Sequence, residues 1–312
     1  MMNHRVSMVA SALALAACAG NTSDATSQTG IDVDRMLADV EFLAADSLEG
    51  RLAGSEGNRL AREFVAARFR ELGISAFGES YVREFTTTRR DTELHGANVV
   101  GYVEGTEAPD QFIVLTAHYD HVGVRDGEVF NGADDNASGT AALMAIAQYF
   151  SRNRPRHSIL LAAVDAEERG MGGSRSLVEE PPVELEQMAV NVNMDMVSHS
   201  ERELYVAGTH HYPFLKPLVE RVAVPSEMAV LFGHDSPDLG NDDWTNSSDH
   251  APFHRSGIPF IYFGVEDHPD YHRATDEFEN INPAFFANAV TVILGVVMEL
   301  DRDLESVTAA RQ

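Results

Sequence analysis

Cysteine is nearly missing from this 312-residue chain: Cys18 stands alone, so no disulfide can form within it. Positive charge is scarce as well, with 23 Lys and Arg against 49 Asp and Glu, a formal net charge of −26. Loss of residues 1–17, which hold Arg5 and no acid, would bring this to −27 (−26 minus 1). So acidic a surface repels phosphate backbones and anionic lipid, which excludes nucleic acid as a partner and leaves a solvated, soluble exterior. There is no internal repeat, and no apolar run reads as a membrane span. The longest, Phe285 to Leu300, contains Asn288 and Thr291 and falls short of one. What is present is 44% apolar content, enough for one sizeable core or two modest ones.

The N-terminus does not read as fold. His4 and Arg5 lead into an apolar run from Val6 to Ala17, interrupted by Ser7 and Ser11 and too short to cross a bilayer, the pattern of a secretory signal. It ends in Leu15-Ala16-Ala17-Cys18, which resembles the bacterial lipoprotein box. Cys18 is then expected to be the lipidated first residue of an exported, periplasmic or cell-envelope protein, with that lipid its only hold on a membrane. Residues 18–30, rich in Ser, Thr and Gly, read as a flexible tether. One domain is expected over 31–305, with 306–312 a tail.

Within that domain, helices are predicted over Val33 to Ala45 and over Glu56 to Leu72, where Leu60, Phe64, Ala67 and Leu72 recur at near-helical spacing and Gly73 supplies the stop. Extended segments follow at 81–87 and 97–104. Phe112 to Ala117, Ile159 to Val164, Met188 to Met196, Leu204 to Ala207 and Ile258 to Phe263 read as strands, with buried helices at Ala141 to Phe150 and Phe285 to Leu300. Residues 75–110 are the least interpretable. Buried strands alternating with helices imply an α/β fold of three layers, α/β/α, around a mixed, mostly parallel sheet. Ligands in such folds bind beyond the carboxyl ends of the strands.

The reactive side chains fall at those ends. His118-Tyr119-Asp120 follows one strand and sets an imidazole and a carboxylate two residues apart, on one side of an extended chain. Asn131-Gly132-Ala133-Asp134-Asp135-Asn136-Ala137-Ser138-Gly139 carries adjacent acids ahead of a buried helix, where one could equally serve as a helix cap. Asp165-Ala166-Glu167-Glu168-Arg169-Gly170 follows another strand, and its consecutive acids point in different directions, so one can hold metal while the other addresses a water. Asp195 sits among apolar neighbours in Asn193-Met194-Asp195-Met196, a charge that must be paired or bind a cation. Tyr271-His272-Arg273-Ala274-Thr275-Asp276 supplies a second imidazole. Singly each is ambiguous. Together they give two imidazoles and at least three carboxylates at successive strand ends.

These five blocks resemble those of the co-catalytic zinc exopeptidases of clan MH, the peptidase family M28 type that includes bacterial leucyl aminopeptidase. Glu49-Gly50-Arg51 through Gly57-Asn58 resembles that family's N-terminal block. The resemblance implies the zinc exopeptidase fold and two zinc ions, with manganese or cobalt also suited to the donors. It makes His118 and Asp195 ligands of one metal, Glu168 and His272 ligands of the other, and Asp135 the bridge, because the family's bridging acid precedes two residues and then Ser-Gly. Asp134 is left to capping or support. Asp120 resembles the acid that orients the first His, a job imidazole ligands usually require. Glu167 resembles the general base acting on a metal-bridging hydroxide, and Tyr271 a tyrosine that stabilises the oxyanion. Three carboxylates and a hydroxide would balance two divalent cations.

The expected activity is therefore hydrolysis of the N-terminal peptide bond of peptides. A carboxypeptidase or dipeptidase of the same family is the alternative, but the former needs a basic cluster for the substrate carboxylate, and only Arg255 and Arg273 lie near the blocks. An exported lipoprotein that keeps the fold for binding alone would be expected to lose ligands, and none is lost. Asp249-His250-Ala251-Pro252-Phe253 is assigned pocket shape, and Trp244 and Phe232 are possible pocket linings. Oligomeric state is not encoded in these patterns.

Overall fold

A computed structural model of the chain describes residues 30–89 and 92–311. The signal over 1–17, Cys18 and all of the tether except Gly30 lie outside those residues.

The first two helices begin on side-chain caps of the kind their sequence offers. Asp32 accepts from Arg35 N ahead of α1 (Val33–Leu43), and Ser55 accepts from Asn58 N ahead of α2 (Glu56–Glu71). The chain then makes β1 (Ser75–Ala76), β2 (Val82–Arg89), β3 (Thr92–Val103), β4 (Ala108–His118) and the small pair β5 (Gly123–Arg125) and β6 (Glu128–Phe130). After α3 (Gly139–Arg152) come β7 (His157–Val164), α4 (Gly172–Glu179), β8 (Met188–Met194), β9 (Glu203–Ala207), α5 (Lys216–Glu220), β10 (Ala229–Phe232), α6 (His250–Arg255) and β11 (Phe260–Gly264). The last elements are α7 (Pro283–Arg302) and α8 (Leu304–Arg311).

The main sheet has the order β1-β3-β7-β4-β8-β11-β9-β10, with β2 also paired to β3. Its centre, β7-β4-β8-β11, is parallel. The flanks bring in the antiparallel pairs β3 with β1, β2 and β7, and β11 with β9. This is the mixed sheet expected, and the antiparallel contribution comes largely from 75–103, the stretch whose pattern was hardest to read.

Both faces of the central strands are buried, which explains their unbroken apolar runs. Ile113, Leu115, Ile159 and Leu161 join the core under α1, α2, α3 and α7, whereas Phe112, Val114, Leu160 and Ala162 join a second core with Leu177 and Phe253 of α4 and α6. Ile159, Leu160 and Leu161 are completely buried, each worth about 1.5–3 kcal/mol of apolar burial.

Two ends differ from expectation. By length and composition α7 could cross a membrane, but 67% of its apolar window is buried, because it covers the sheet as a core helix. Residues 306–311, expected in the tail, are helical, since Val307 is buried in the main core and Arg311 Nη1 donates to Met188 O at 2.7 Å.

Candidate metal centre

Three parallel strands end at one place. His118 is the last residue of β4, Glu167 and Glu168 follow β7 by a short turn, and Asp195 is the first residue past β8. Asp135 comes from the irregular turn Ala133–Ser138 that leads into α3, and His272 from the loop after β11. Ala166, Met196 and His272 are left-handed, with φ of 58°, 59° and 53°. Such backbone is costly for non-glycine residues and concentrates where side chains must be aimed.

All five predicted ligands converge, and Asp135 stands between two groups. Its Oδ1 faces His118 Nε2 at 3.4 Å, and that nitrogen lies 3.3 Å from Asp195 Oδ1. Its Oδ2 faces His272 Nε2 at 3.0 Å, and that nitrogen lies 3.2 Å from Glu168 Oε1. Donors held at about 2.0–2.2 Å around a tetrahedral zinc lie roughly 3.4 Å apart, so both groups have the spacing a metal would impose. The electrostatics point the same way. Asp120, Asp134, Asp135, Asp165, Asp195, Asp249 and Asp276 are all buried here, and so much buried negative charge needs cations or protons. Burial, then Asp120, pushes Asp165 up to about 7, and burial with Asp195 and Asp120 pushes Asp249 up to about 7 against the pull of His118.

Buried hydrogen bonds fix the donors from below. Thr116 Oγ1 donates to Asn193 Oδ1 at 2.7 Å, Asn193 Nδ2 to Ser248 Oγ at 2.9 Å, and Ser248 Oγ to Asp195 Oδ2 at 2.6 Å. That relay occupies one oxygen of Asp195 and leaves Oδ1 for His118. Asp120 holds more than the histidine expected of it. His118 Nδ1 is nearer the Asp120 main-chain oxygen, 3.1 Å, than its carboxylate, 3.6 Å, and the carboxylate instead accepts from Glu167 N at 3.0 Å and Glu168 N at 3.3 Å. It therefore positions the two glutamates as well as the histidine. Burial raises the Glu167 pKa well above the usual carboxylate range, with Asp249, Asp195 and Glu168 adding and His118 opposing. Tyr271 stacks on His272, ring centroids 4.1 Å apart, and burial followed by Asp135 and Asp195 raises its hydroxyl pKa. Trp244 belongs to a separate aromatic group, stacked on His234 at 3.7 Å.

The model of peptidase family M28 matches residues 98–297. The chain belongs to that family. It is 32% identical to aminopeptidase YwaD of Bacillus subtilis over 223 residues, 67% of this chain and 45% of that protein. It is 31% identical over 227 residues to a probable glutamate carboxypeptidase, VP8, of Zea mays, 64% of this chain but only 30% of that one. The chain thus spans less than half the length of either relative. Among solved structures, BSAP, a zinc aminopeptidase from Bacillus subtilis, shares the fold with a TM-score of 0.68 at 18% identity, covering 87% of this chain and 96% of that one. A Bacteroides thetaiotaomicron glutaminyl cyclase does so with a TM-score of 0.69 at 18% identity, covering 86% and 98%.

Several site residues of this M28 chain were not singled out from sequence. Asp276 accepts from Asp134 N at 2.9 Å through Oδ1 and from Asp135 N at 3.1 Å through Oδ2, tying the bridging loop to the His272 loop. Its signal was its place in the His272 block. Arg51, in the N-terminal block, is completely buried and donates to the carbonyls of Leu43, Tyr119, Asn131 and Gly132. His121, three residues past His118, lies 2.9 Å from Glu168 Oε1. Asp134 supports rather than binds: Oδ1 accepts from Ser198 N and Oγ, both at 2.7 Å, and Oδ2 lies 3.2 Å from His268 Nε2. His199, His268 and Asp270 also cluster, but the two rings stack 3.8 Å apart at 25°. Lone pairs lying in near-parallel planes do not meet on one ion, and the group serves as a brace between loops.

Proposed function

We propose that the chain is an aminopeptidase that holds two zinc ions and hydrolyses the N-terminal peptide bond of peptides. The observation that carries this is Asp135, which offers one oxygen to His118 and Asp195 and the other to His272 and Glu168. His118 and Asp195 would hold one ion and Glu168 and His272 the other, with Asp135 shared; manganese or cobalt would suit the same donors. Bound there, the pair of cations would lower the pKa of a water toward about 7 and polarise the scissile carbonyl. Glu167 takes the proton from that water and returns it to the leaving amine. Asp120, through the Glu167 amide, holds it in register for both transfers. Tyr271, whose hydroxyl stays protonated under the pKa shift above, donates to the carbonyl oxygen as charge develops there.

The surplus of carboxylates favours a free amino terminus over a free carboxylate. A carboxypeptidase needs a guanidinium with donors to spare, and those of Arg51 are directed at main-chain carbonyls. The zinc-loaded protein should hydrolyse leucine p-nitroanilide and leave its N-acetyl derivative intact. Equal cleavage of the two, or cleavage only of N-blocked peptides with a free carboxylate, would overturn the reading. Glu167→Gln should keep its metal and lose turnover by about 10²–10⁴-fold, whereas Glu168→Gln should lose metal as well.

Export and lipidation at Cys18 form part of the proposal, supported by Leu15-Ala16-Ala17-Cys18 at the end of the apolar run. Labelled fatty acid should enter the wild type and not Cys18→Ser; labelling of both, or of neither, would exclude a lipid anchor there.

A further inference from the structure

His121 stands in none of the roles assigned above, and its surroundings are those of a ligand. The ring is completely buried, and neither Nδ1 nor Nε2 has a hydrogen-bond partner. Nδ1 lies 2.9 Å from Glu168 Oε1 and 3.6 Å from Asp135 Oδ2. A neutral imidazole carries one donor and one acceptor, and leaving them without hydrogen bonds in the interior is costly. The chain nevertheless makes room for it. Gly132 has φ of 59°, and a Cβ there would come within 2.6 Å of the His121 ring. The imidazole is thus seated by the loop that carries Asp135.

The separations match those of the ligands already named. Distances of 2.9 and 3.6 Å to Glu168 and Asp135 bracket the roughly 3.4 Å edge of a tetrahedral zinc site, and the 3.2 and 3.0 Å distances of His272 to the same oxygens fall within that range. The His121 and His272 rings are inclined at 61° with centroids 5.7 Å apart. Unlike the stacked pair of His199 and His268, planes so inclined let two in-plane lone pairs converge.

We propose that His121 is a further metal ligand on the Glu168 side of Asp135. That pocket then has two imidazoles, His121 and His272, with Glu168 and one oxygen of Asp135, against one imidazole in the His118 and Asp195 pocket. The inference rests on the two-metal reading above. Four protein donors against three make the His121 pocket the tighter of the two, the one that fills first.

Chelator competition with zinc tests this on the full chain. The wild type should show two affinities. His121→Ser should lower the tighter one by more than about 100-fold, beyond the 10–100-fold typical of a partner that only supports a ligand, and leave the other within about threefold. Glu168→Gln serves as the reference variant for the same pocket. A loss smaller than that in His121→Ser overturns the inference and leaves the two-metal reading standing, whereas a wild type that binds fewer than two ions overturns both. An independent measurement needs no variant. With ¹⁵N-histidine-labelled wild type loaded with ¹¹³Cd, one cadmium resonance should couple to a single imidazole nitrogen and the other to two. One coupling on each cadmium would show His121 to be a bystander.

Discussion

Arg51 gives the strongest test of how the site is held. Its guanidinium is completely buried. Nε donates to Tyr119 O at 2.8 Å, Nη2 to Gly132 O at 2.9 Å, and Nη1 to Asn131 O at 2.6 Å and to Leu43 O. Burial lowers its pKa to about 10 while Asp276, Asp135 and Asp120 pull the other way, so it remains charged at neutral pH. A hydrogen bond from a charged donor is worth about 1.5–3 kcal/mol, so four make roughly 6–12 kcal/mol gross. A neutral replacement avoids a desolvation cost of several kcal/mol. Arg51→Met should therefore destabilise the metal-free protein by about 4 kcal/mol, a large fraction of a typical 5–15 kcal/mol. Arg51→Lys keeps the charge but has three donors without the planar fork, leaving at least one carbonyl bare, and should cost about 2 kcal/mol. Urea unfolding followed by far-UV circular dichroism and by the fluorescence of Trp244 reads both. A Met variant within about 1 kcal/mol of wild type, or a Lys variant as damaged as Met, would refute the claim that this fork ties α1, β4 and the bridging loop together.

Two further outcomes follow from named contacts. Ser248→Ala removes the donor that occupies Asp195 Oδ2; zinc affinity, read by chelator competition, should fall about 10–100-fold in one pocket only, and unchanged affinity would mean the relay does not position Asp195. His250 is completely buried, and burial lowers its pKa to about 4 despite the bond from Nε2 to Trp244 O at 2.9 Å. Between the unfolded value near 6.5 and that folded value, the unfolded state takes up a proton the native state refuses, so stability is lost as pH falls through this window. From pH 7.5 to 5.0, metal-free wild type should lose about 2 kcal/mol more than His250→Gln; equal losses in urea titrations would show that His250 does not set the acid limit.

How legible this molecule is from sequence depends on the range of the interaction. Ser55 and Gly73 bound α2 by local chemistry, and its helix runs Glu56–Glu71 as the periodicity implies. The apolar runs of β4, β7 and β8 name buried strands because both faces of the sheet are covered. Five blocks at strand ends announced His118, Asp135, Glu168, Asp195 and His272, since the residue types themselves carry the chemistry. The antiparallel edge was hidden: pairing of β2 with β3 is a tertiary choice, and the alternation in Val82–Arg89 says only that the segment is extended. Hidden too were the residues whose work is done by partners distant in the chain. Arg51 meets Gly132 across 81 positions and Asp276 meets Asp134 across 142, and nothing local to Arg51 or Asp276 reveals either contact. Asp120 was given its role through one neighbour, whereas its carboxylate holds the backbone of two others.

The central claim is that one carboxylate, Asp135, joins two donor pockets into a single metal centre. Anomalous diffraction at the zinc edge from crystals of zinc-loaded protein tests it directly. Two peaks about 3.5–4 Å apart, one beside each oxygen of Asp135, are the predicted result. A single peak, or two peaks neither of which touches Asp135, would contradict it.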